Sequence, residues 1–379
     1  MIGPGRPRAS SPFSRRSISS PPMDYLEWMA RGGHERLCAL QDGPSGLRAW
    51  LAIHDSSCGP AYGGIRIRRY RREAEAVQDV LRLSRAMTFK CALADVPGGG
   101  AKTVVLADHL NDRRRAMERL GEFIEELDGR YRCGPDVGFV ESDRLALCSA
   151  TRWYAHRREK LRPAGEATAE GAEWGIRAAV QHVLGRDSLA GITVAVQGLG
   201  SVGGALARRL LAAGARVIGA DPDPEACEAA RRAGVELVDP GAIYDQEVDV
   251  FAPCALGGTL HEVSVARLRA RLVAGCANNV LARAEHAELL HRRGAVFVPD
   301  FVLNAGALIE GAGHDATGRT EFGPELRRIG DTVLRVLRRA EAGGTTPLQA
   351  ALELAREILE SRRRAAGGAA PADRAAPVD

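Results

Sequence analysis

The sequence predicts an α/β protein of two domains with a cleft between them, and three observations carry that reading. Its 379 residues are roughly twice the length of an ordinary ~100–200-residue domain. Short apolar runs of strand character alternate with stretches of helical periodicity, on both sides of a break near residues 150–165. One glycine-rich turn directly follows an apolar strand and opens a helix. The composition, 45% hydrophobic and 26% charged, is that of a globular chain. No run of 18 apolar residues exists, so no transmembrane helix and no membrane partner are expected.

In chain order, residues 1–22 (MIGPGRPRASSPFSRRSISSPP) hold Arg, Ser and Pro but no acid. Such a stretch buries too little apolar surface to offset its chain entropy, so a disordered tail is expected. A transit peptide has the same Arg- and Ser-rich, acid-poor character, and translation from Met23 is a third reading. The first domain is expected over 23–150. There LRAWLAIHD reads as a strand, and residues 73–89 place Val77, Val80, Leu81 and Met87 at helical spacing. TVVLAD, after the turn Gly98-Gly99-Gly100-Ala101, reads as another buried strand. The second domain is expected over 165–311, opening with a helix and continuing strand, glycine turn, helix, strand through GITVAVQGLGSVGGALARRLLAAGARVIGADPD. Closing helices at about 324–341 and 347–362 are expected to pack back on the first domain. Leu326, Ile329, Val333 and Leu337 mark an apolar face, and Thr346-Pro347 supplies a cap followed by proline at the first helical position. Residues 365–379, rich in Ala, Pro and Gly, read as a flexible tail.

The net charge of +4 comes from 52 basic and 48 acidic residues that interleave along helical stretches. No basic stripe marks a nucleic-acid partner. The eight cysteines (38, 58, 91, 133, 148, 227, 254 and 276) contain no C-x-x-C, so neither a disulfide framework nor a metal site is expected. They read as thiols in a reducing cytoplasm. Only three of the basic residues are lysines: Lys90, Lys102 and Lys160. Arginine serves wherever a permanent charge suffices, so a lysine is a candidate for losing its proton near neutral pH. Lys160, in a charged stretch, reads as ordinary surface.

Gly198, Gly200 and Gly203 spell G-x-G-x-x-G, with Ser201 and Val202 opening the helix that bears Leu206 and Leu210. The strand Ile192–Val196 precedes it, and a second strand ends at Asp221, 21 residues after Gly200. Together these form the fingerprint of a dinucleotide-binding, doubly wound Rossmann-type domain. The glycines admit a pyrophosphate to the backbone, and the helix N-terminus offers free N–H groups and a positive dipole end. Asp221 would accept from ribose hydroxyls and repel a 2′-phosphate, and no Arg or Lys follows in DPDPEACEAA. NAD is therefore expected over NADP. The alternatives are a glycine turn of another α/β fold and an Asp221 that merely caps the turn at Pro222.

Lys90 ends RAMTFK, Lys102 follows the glycine turn, and Asp136 sits in CGPDVG. Two amines and a carboxylate outside a nucleotide fold suggest acid–base chemistry on a small anion. An amine that must work neutral has its pKa lowered by desolvation or a neighbouring cation. Spacing alone leaves surface salt bridges equally open.

The segments GPAYGGIRI (59–67), LSRAMTFKCALADVPGGGAKTVV (83–105), RYRCGPDVG (130–138), VAVQGLGSVG (194–203), DVFAPCALGG (249–258), AGCANN (274–279) and PDFVLNAGALI (299–309) occur in order. In them the chain resembles the glutamate/leucine/phenylalanine/valine dehydrogenase family over nearly all of residues 33–311. The resemblance implies NAD-dependent, reversible oxidative deamination of an L-amino acid to a 2-oxo acid and ammonia, by a homo-oligomer. By motif position it makes Lys102 the catalytic lysine, whose neutral amine promotes attack of water on the imino acid. Asp136 would bind the amino group and shuttle protons, and Lys90 would hold the α-carboxylate. Gly63 and Gly64 would lie against the substrate backbone. Thr168 would meet the nicotinamide carboxamide, while Asn279 and Asn304 would lie near the nicotinamide ribose and the substrate carboxylate. Cys254 and Ala255 join the cofactor-binding set with the glycine turn.

Four positions depart from the family pattern: Phe139 for a usual Thr, Ala164-Gly165-Glu166 for a Pro-rich stretch, Ala307 for a common Gly, and the segment EGAGHDATGRTE. Glutamate-specific members carry a Lys before the Gly-Gly pair and a Ser seven residues after the Asn-Ala-Gly asparagine. Here those positions are Tyr62 and Gly311, and a buried carboxylate without its cation would be costly. Tyr62, Gly134, Leu308 and Gly311 would form the side-chain pocket, two glycines making room beside an aromatic wall. A large aliphatic or aromatic amino acid is expected. The competing readings are another NAD-dependent oxidoreductase acting on a 2-oxo or hydroxy acid, and a non-catalytic NAD-binding paralogue.

Overall fold

The computed structural model describes residues 24–155, 160–365 and 367; the segment 1–22 and nearly all of 365–379 lie outside them. The first domain runs α1 (Tyr25–Gly32), β1 (Arg36–Asp42), β2 (Leu47–Asp55), β3 (Ala61–Arg68), α2 (Glu73–Leu93), β4 (Gly99–Leu106), α3 (Arg113–Glu125), β5 (Tyr131–Pro135) and α4 (Glu141–Cys148). Its five-stranded sheet has the order β1-β2-β4-β3-β5. The β1–β2 and β2–β4 pairs are antiparallel, while β3 runs parallel to both β4 and β5.

Side chains of a strand point alternately to opposite faces. One face sets Leu51, Ile53, Ile65, Ala101 and Val105 against Met117, Leu120 and Ile124 of α3. The other packs Ala52 and Val104 against Val77, Val80 and Leu81 of α2. In phase with this second face come Tyr62, Gly64 and Arg66 of β3, Lys102 of β4, and Arg132 and Gly134 of β5. At Gly63 a Cβ would lie 1.7 Å from the Ala101 carbonyl oxygen, so β3 approaches β4 here more closely than any side chain allows.

The second domain continues with α5 (Ala164–Leu184), β6 (Thr193–Gln197), α6 (Ser201–Ala212), β7 (Arg216–Ala220), α7 (Pro224–Arg232), β8 (Glu236–Leu237), β9 (Val250–Pro253) and α8 (Glu262–Arg267). There follow β10 (Leu272–Val273), α9 (Glu285–Arg292), β11 (Val296–Phe297), α10 (Asp300–Leu303), α11 (Gly306–Thr317), α12 (Gly323–Gly343) and α13 (Pro347–Ala365). Its six strands are all parallel, in the order β11-β10-β9-β6-β7-β8. The chain starts mid-sheet at β6, winds out through β7 and β8, then returns to build β9, β10 and β11 on the other side. That doubly wound order leaves a crevice beyond the carboxyl ends of β6 and β9, where the winding direction reverses. Val194, Ala195, Val196, Val250, Phe251 and Ala252 are buried, as strands covered by helices on both faces must be.

The boundary expected at residue 311 falls inside α11, because that helix runs on to Thr317 and stops at Gly318, a left-handed cap with φ 71°. The closing helices divide: α12 lies along α5, and α13 lies against α2. Arg362 of α13 donates to the Val96 carbonyl at 2.9 Å, and Arg363 pairs with Asp55 at 2.5 Å. One apolar cluster, from Phe89 and Leu93 through Ile176 and Val333 to Leu354, joins the two domains.

Candidate active site

Each glycine of the fingerprint does a separate job. Gly198 ends β6 with φ 90°, a left-handed conformation, and a Cβ on it would come 2.8 Å from Ala255. At Gly203 a Cβ would lie 1.9 Å from the Gly198 carbonyl oxygen and 3.0 Å from the Cys254 Cβ, so this glycine lets α6 seat on the strand ends. Gly200 is different, since a Cβ there would meet nothing within 4 Å. The space over Gly200 is open at the start of α6, as close approach of a pyrophosphate requires. Asp221 follows β7 and turns its carboxylate to this loop: Oδ2 accepts from the Leu199 N–H at 2.7 Å, and Oδ1 from the Asp223 N–H at 2.8 Å. It therefore does cap the turn at Pro222 while lying beside the glycines, and each oxygen keeps a lone pair to offer.

In the first domain the sheet register brings three distant motifs together. Gly64 pairs with Gly134, and Lys102 follows on the neighbouring strand. Lys102 Nζ lies 2.8 Å from Asp136 Oδ2, with both side chains buried. Arg66 Nε donates to that same oxygen at 2.9 Å. A Cβ on Gly64 would sit 2.9 Å from the Asp136 Cβ and 3.1 Å from Lys102 Nζ, so the glycine keeps the space against the pair clear. Burial pushes the Lys102 amine below the usual lysine range, Arg66 adds to that, and Asp136 opposes it. Burial raises the Asp136 carboxyl, but Lys102 and Arg66 outweigh it and hold the group well below the carboxylate range. The surface-salt-bridge alternative for these residues falls on burial.

Lys90, at the end of α2, faces the other domain. Burial pushes its ammonium down to about 8, Lys102 contributes in the same direction, and the Asp300 carboxylate pulls back. Asp300 Oδ2 accepts from the Asn279 N–H at 2.6 Å. Asn279 holds a left-handed φ of 52°, and its Oδ1 accepts from Arg82 of the first domain at 3.0 Å, which places it at the domain junction. Asn304 is buried and donates to the Cys276 carbonyl and to Asn278 Oδ1, leaving its own Oδ1 without a partner. Thr168 donates to the Ala164 carbonyl at 2.8 Å, and the start of α11 at Gly306 touches its backbone.

Around the Gly64–Gly134 floor stand the residues expected to meet a side chain. A Cβ on Gly134 would meet nothing within 4 Å. Tyr62 is buried beside Arg132, its partner in the register, and burial together with the Asp315 carboxylate of α11 pushes its phenol up. Arg132 and Asp315 approach at 3.4 Å, with the guanidinium over the Trp153 ring. Leu308 packs half-buried on the apolar cluster and Gly311 is buried in the same helix as Asp315. Lys160 shares a cavity of ≈ 230 Å³ with Tyr154, His314 and Asp315.

Sequence reading missed four charged residues: Arg66, Asp79, Arg82 and Asp300. Asp79 accepts from Arg66 at 2.9 Å, from the Tyr70 hydroxyl at 2.7 Å and from Arg82 at 2.9 Å. Arg66 had a signal, since it lies two and four residues from Gly64 and Tyr62 and so shares their face of β3. Asp79 and Arg82 had none, because their helix reads as an ordinary amphipathic one.

A doubly wound sheet with a glycine-lined crevice, joined to a domain that buries lysines and an aspartate, defines a nicotinamide-dependent oxidoreductase. Comparison with known proteins is more particular. Residues 35–151 match the profile of the Glu/Leu/Phe/Val dehydrogenase dimerisation domain, and residues 224–312 that of glutamate/leucine/phenylalanine/valine dehydrogenase. Residues 158–257 also match the NAD-binding domain of D-isomer specific 2-hydroxyacid dehydrogenases. The chain is 38% identical to leucine dehydrogenase of Geobacillus stearothermophilus, covering 90% of this chain and 95% of that one. It is 34% identical to phenylalanine dehydrogenase of Bacillus thermotolerans, over 89% of this chain and 92% of the relative. The crystal structure of L-tryptophan dehydrogenase from Nostoc punctiforme superposes with a TM-score of 0.78 at 36% identity, covering 89% and 99% of the two chains. The chain belongs to the glutamate/leucine/phenylalanine/valine dehydrogenase family and is an amino-acid dehydrogenase.

Proposed function

We propose that this dehydrogenase catalyses the reversible, NAD-dependent oxidative deamination of an L-amino acid with a large aliphatic or aromatic side chain. The observation that carries the reading is the buried Lys102–Asp136 contact at 2.8 Å beneath the clear space of Gly64. Lys90 pairs with the substrate α-carboxylate and so orients the α-carbon. Asp136, a carboxylate at rest, accepts a hydrogen bond from the amino group and relays its proton onward, returning to the ionised form before Lys102 acts. Lys102, as the neutral amine, takes a proton from the water that attacks the imino carbon and returns it to the nitrogen, then takes the hydroxyl proton of the adduct as ammonia leaves and the 2-oxo group forms. Bound nicotinamide supplies the hydride acceptor. Gly198, Gly200, Ser201, Val202 and Gly203 fit its pyrophosphate, because the one glycine without a close neighbour stands at the helix start. Cys254 and Ala255 wall the same turn, with Thr168 and Asn279 toward the nicotinamide end. The Asp221 carboxylate, with no Arg or Lys through Ala230, favours NAD over NADP.

The substrate preference rests on the open floor at Gly134, the aromatic wall of Tyr62 and the side chains of Leu308 and Gly311. It agrees with relatives named for leucine, phenylalanine and tryptophan. A homo-oligomer is supported by the match to a dimerisation domain and by exposed Val137, Val140 and Leu145 on that domain. Eight free thiols favour a cytoplasmic setting, and no helix of the described residues is long and apolar enough to cross a membrane. One panel tests the function: purified protein, NADH, ammonium and a series of 2-oxo acids, followed by the loss of NADH absorbance. Turnover should require ammonium and favour bulky apolar 2-oxo acids. NADH oxidation without ammonium would indicate a hydroxy-acid enzyme, and binding without turnover a non-catalytic paralogue.

A further inference from the structure

Arg66 stands on β3 two residues past Gly64 and ends on the same carboxylate oxygen as Lys102. Nε lies 2.9 Å from Asp136 Oδ2, and Nη1 lies 2.9 Å from Asp79 Oδ2, with the guanidinium 8% exposed. Asp79 is in turn held by the Tyr70 hydroxyl and by Arg82. The Arg66 and Lys102 nitrogens both bond one oxygen, so they lie within about 6 Å of each other, where like charges disfavour one another. A bare Lys102–Asp136 ion pair would lock the lysine as ammonium. A permanent second cation changes that balance, because Asp136 stays compensated after Lys102 loses its proton.

We propose that Arg66 is a positioning residue of the reaction: it keeps Asp136 fixed and ionised while Lys102 passes between ammonium and amine, and Asp79 holds Arg66 in place to do so. The proposal rests on the reading of Lys102 as the proton-transferring amine. The charged groups around Lys102 fit it. β3 contributes Arg66, α2 contributes Asp79 and Lys90, and the end of β5 contributes Asp136. From the second domain, Asp300 faces Lys90. On β2, Ala52 pairs with Lys102, and His54 two residues on is held neutral by burial, its pKa lowered to about 3. Arg66 is thus the permanent cation that shares a hydrogen-bond acceptor with Lys102 among the described residues.

The experiment is the pH dependence of kcat/KM for deamination in the full-length wild type, Arg66→Gln, Arg66→Lys and Asp79→Asn, with NADH affinity measured alongside. Deamination rises with pH as Lys102 becomes neutral. Arg66→Gln removes the opposing cation, so this rise should move up by about one to two pH units. Arg66→Lys keeps a cation and should recover most of the shift. Asp79→Asn keeps an acceptor oxygen to hold Arg66 but removes the carboxylate charge, so its rise should move the other way, to lower pH. The two opposite signs are not what loosened packing would give. A rise at the wild-type pH in an Arg66→Gln protein that binds NADH normally would overturn the proposal. If that variant does not fold, an unmoved rise in Asp79→Asn would overturn it equally. Lys102→Ala separates the underlying reading: persistent turnover there would remove Lys102 itself, whereas lost turnover with normal NADH binding leaves the position of the rise to judge Arg66.

Discussion

Alkaline pH should release the substrate carboxylate before it harms the rest of the site. Burial, with help from Lys102, pushes the Lys90 ammonium down to about 8, against the pull of Asp300 and Asp136. A lysine grips a carboxylate only while protonated, so the grip is complete below that value and is lost as the pH rises through it. One unit above the pKa only about a tenth of the ammonium remains, and carboxylate affinity should then fall about tenfold for each further unit. The amino group of a substrate also titrates in this range, which would blur the reading. The assay should therefore use a substrate-shaped carboxylic acid without an amino group, as a competitive inhibitor at saturating NAD. Its Ki should be level below about pH 7 and climb above about pH 8. Lys90→Arg supplies the control, because a guanidinium keeps its charge throughout. Its Ki should start higher, from imperfect geometry, but should not climb. A level wild-type Ki, or an equal climb in both proteins, would refute the placement of the carboxylate at Lys90.

The remaining expectations concern single residues. Lys102→Arg should abolish deamination while leaving NADH binding near wild type, since a guanidinium cannot act as a neutral amine; residual kcat above about one-tenth would remove Lys102 as base. Gly64→Ala would put a Cβ 2.9 Å from the Asp136 Cβ and 3.1 Å from Lys102 Nζ. Displacing that pair by even part of an ångström should lower kcat/KM on the order of a hundredfold, with the melting temperature reporting any wider damage. Gly134→Ala, whose Cβ meets nothing within 4 Å, should instead raise KM selectively for the bulkiest substrates. Asp221→Ser should weaken NAD by about ten- to a hundredfold and ease use of NADP. Equal losses with both cofactors would mean that the bonds to Leu199 and Asp223 are the whole of its role.

The glycine turn was legible residue by residue because its requirements are local. A left-handed φ at Gly198, an open approach at Gly200 and a close seat at Gly203 each dictate a residue type at a fixed offset. Strand LRAWLAIHD was legible for a similar reason, and β2 runs over those residues, Leu47–Asp55. Helix α11 was not. Three glycines at 306, 311 and 313 blur its periodicity, and burial at the domain junction stabilises it where propensity does not. The lysine count drew attention to Lys90 and Lys102 and read Lys160 as ordinary surface, where it is indeed exposed.

Sequence alone determined the two-domain α/β class, the nucleotide turn and the three motifs carrying Lys90, Lys102 and Asp136, because chain-local geometry and composition constrain each of them. Only the tertiary structure decided that Asp136 meets Lys102 and Arg66 on one oxygen, and that Arg82 reaches Asn279 from the opposite domain. The physical reason is register. The parallel pairing of β3 with β4 and β5 brings residues 64, 102 and 134 side by side across long stretches of chain. Which charges then share a hydrogen bond depends on burial and side-chain reach, and neither is written in the spacing of residues along the chain.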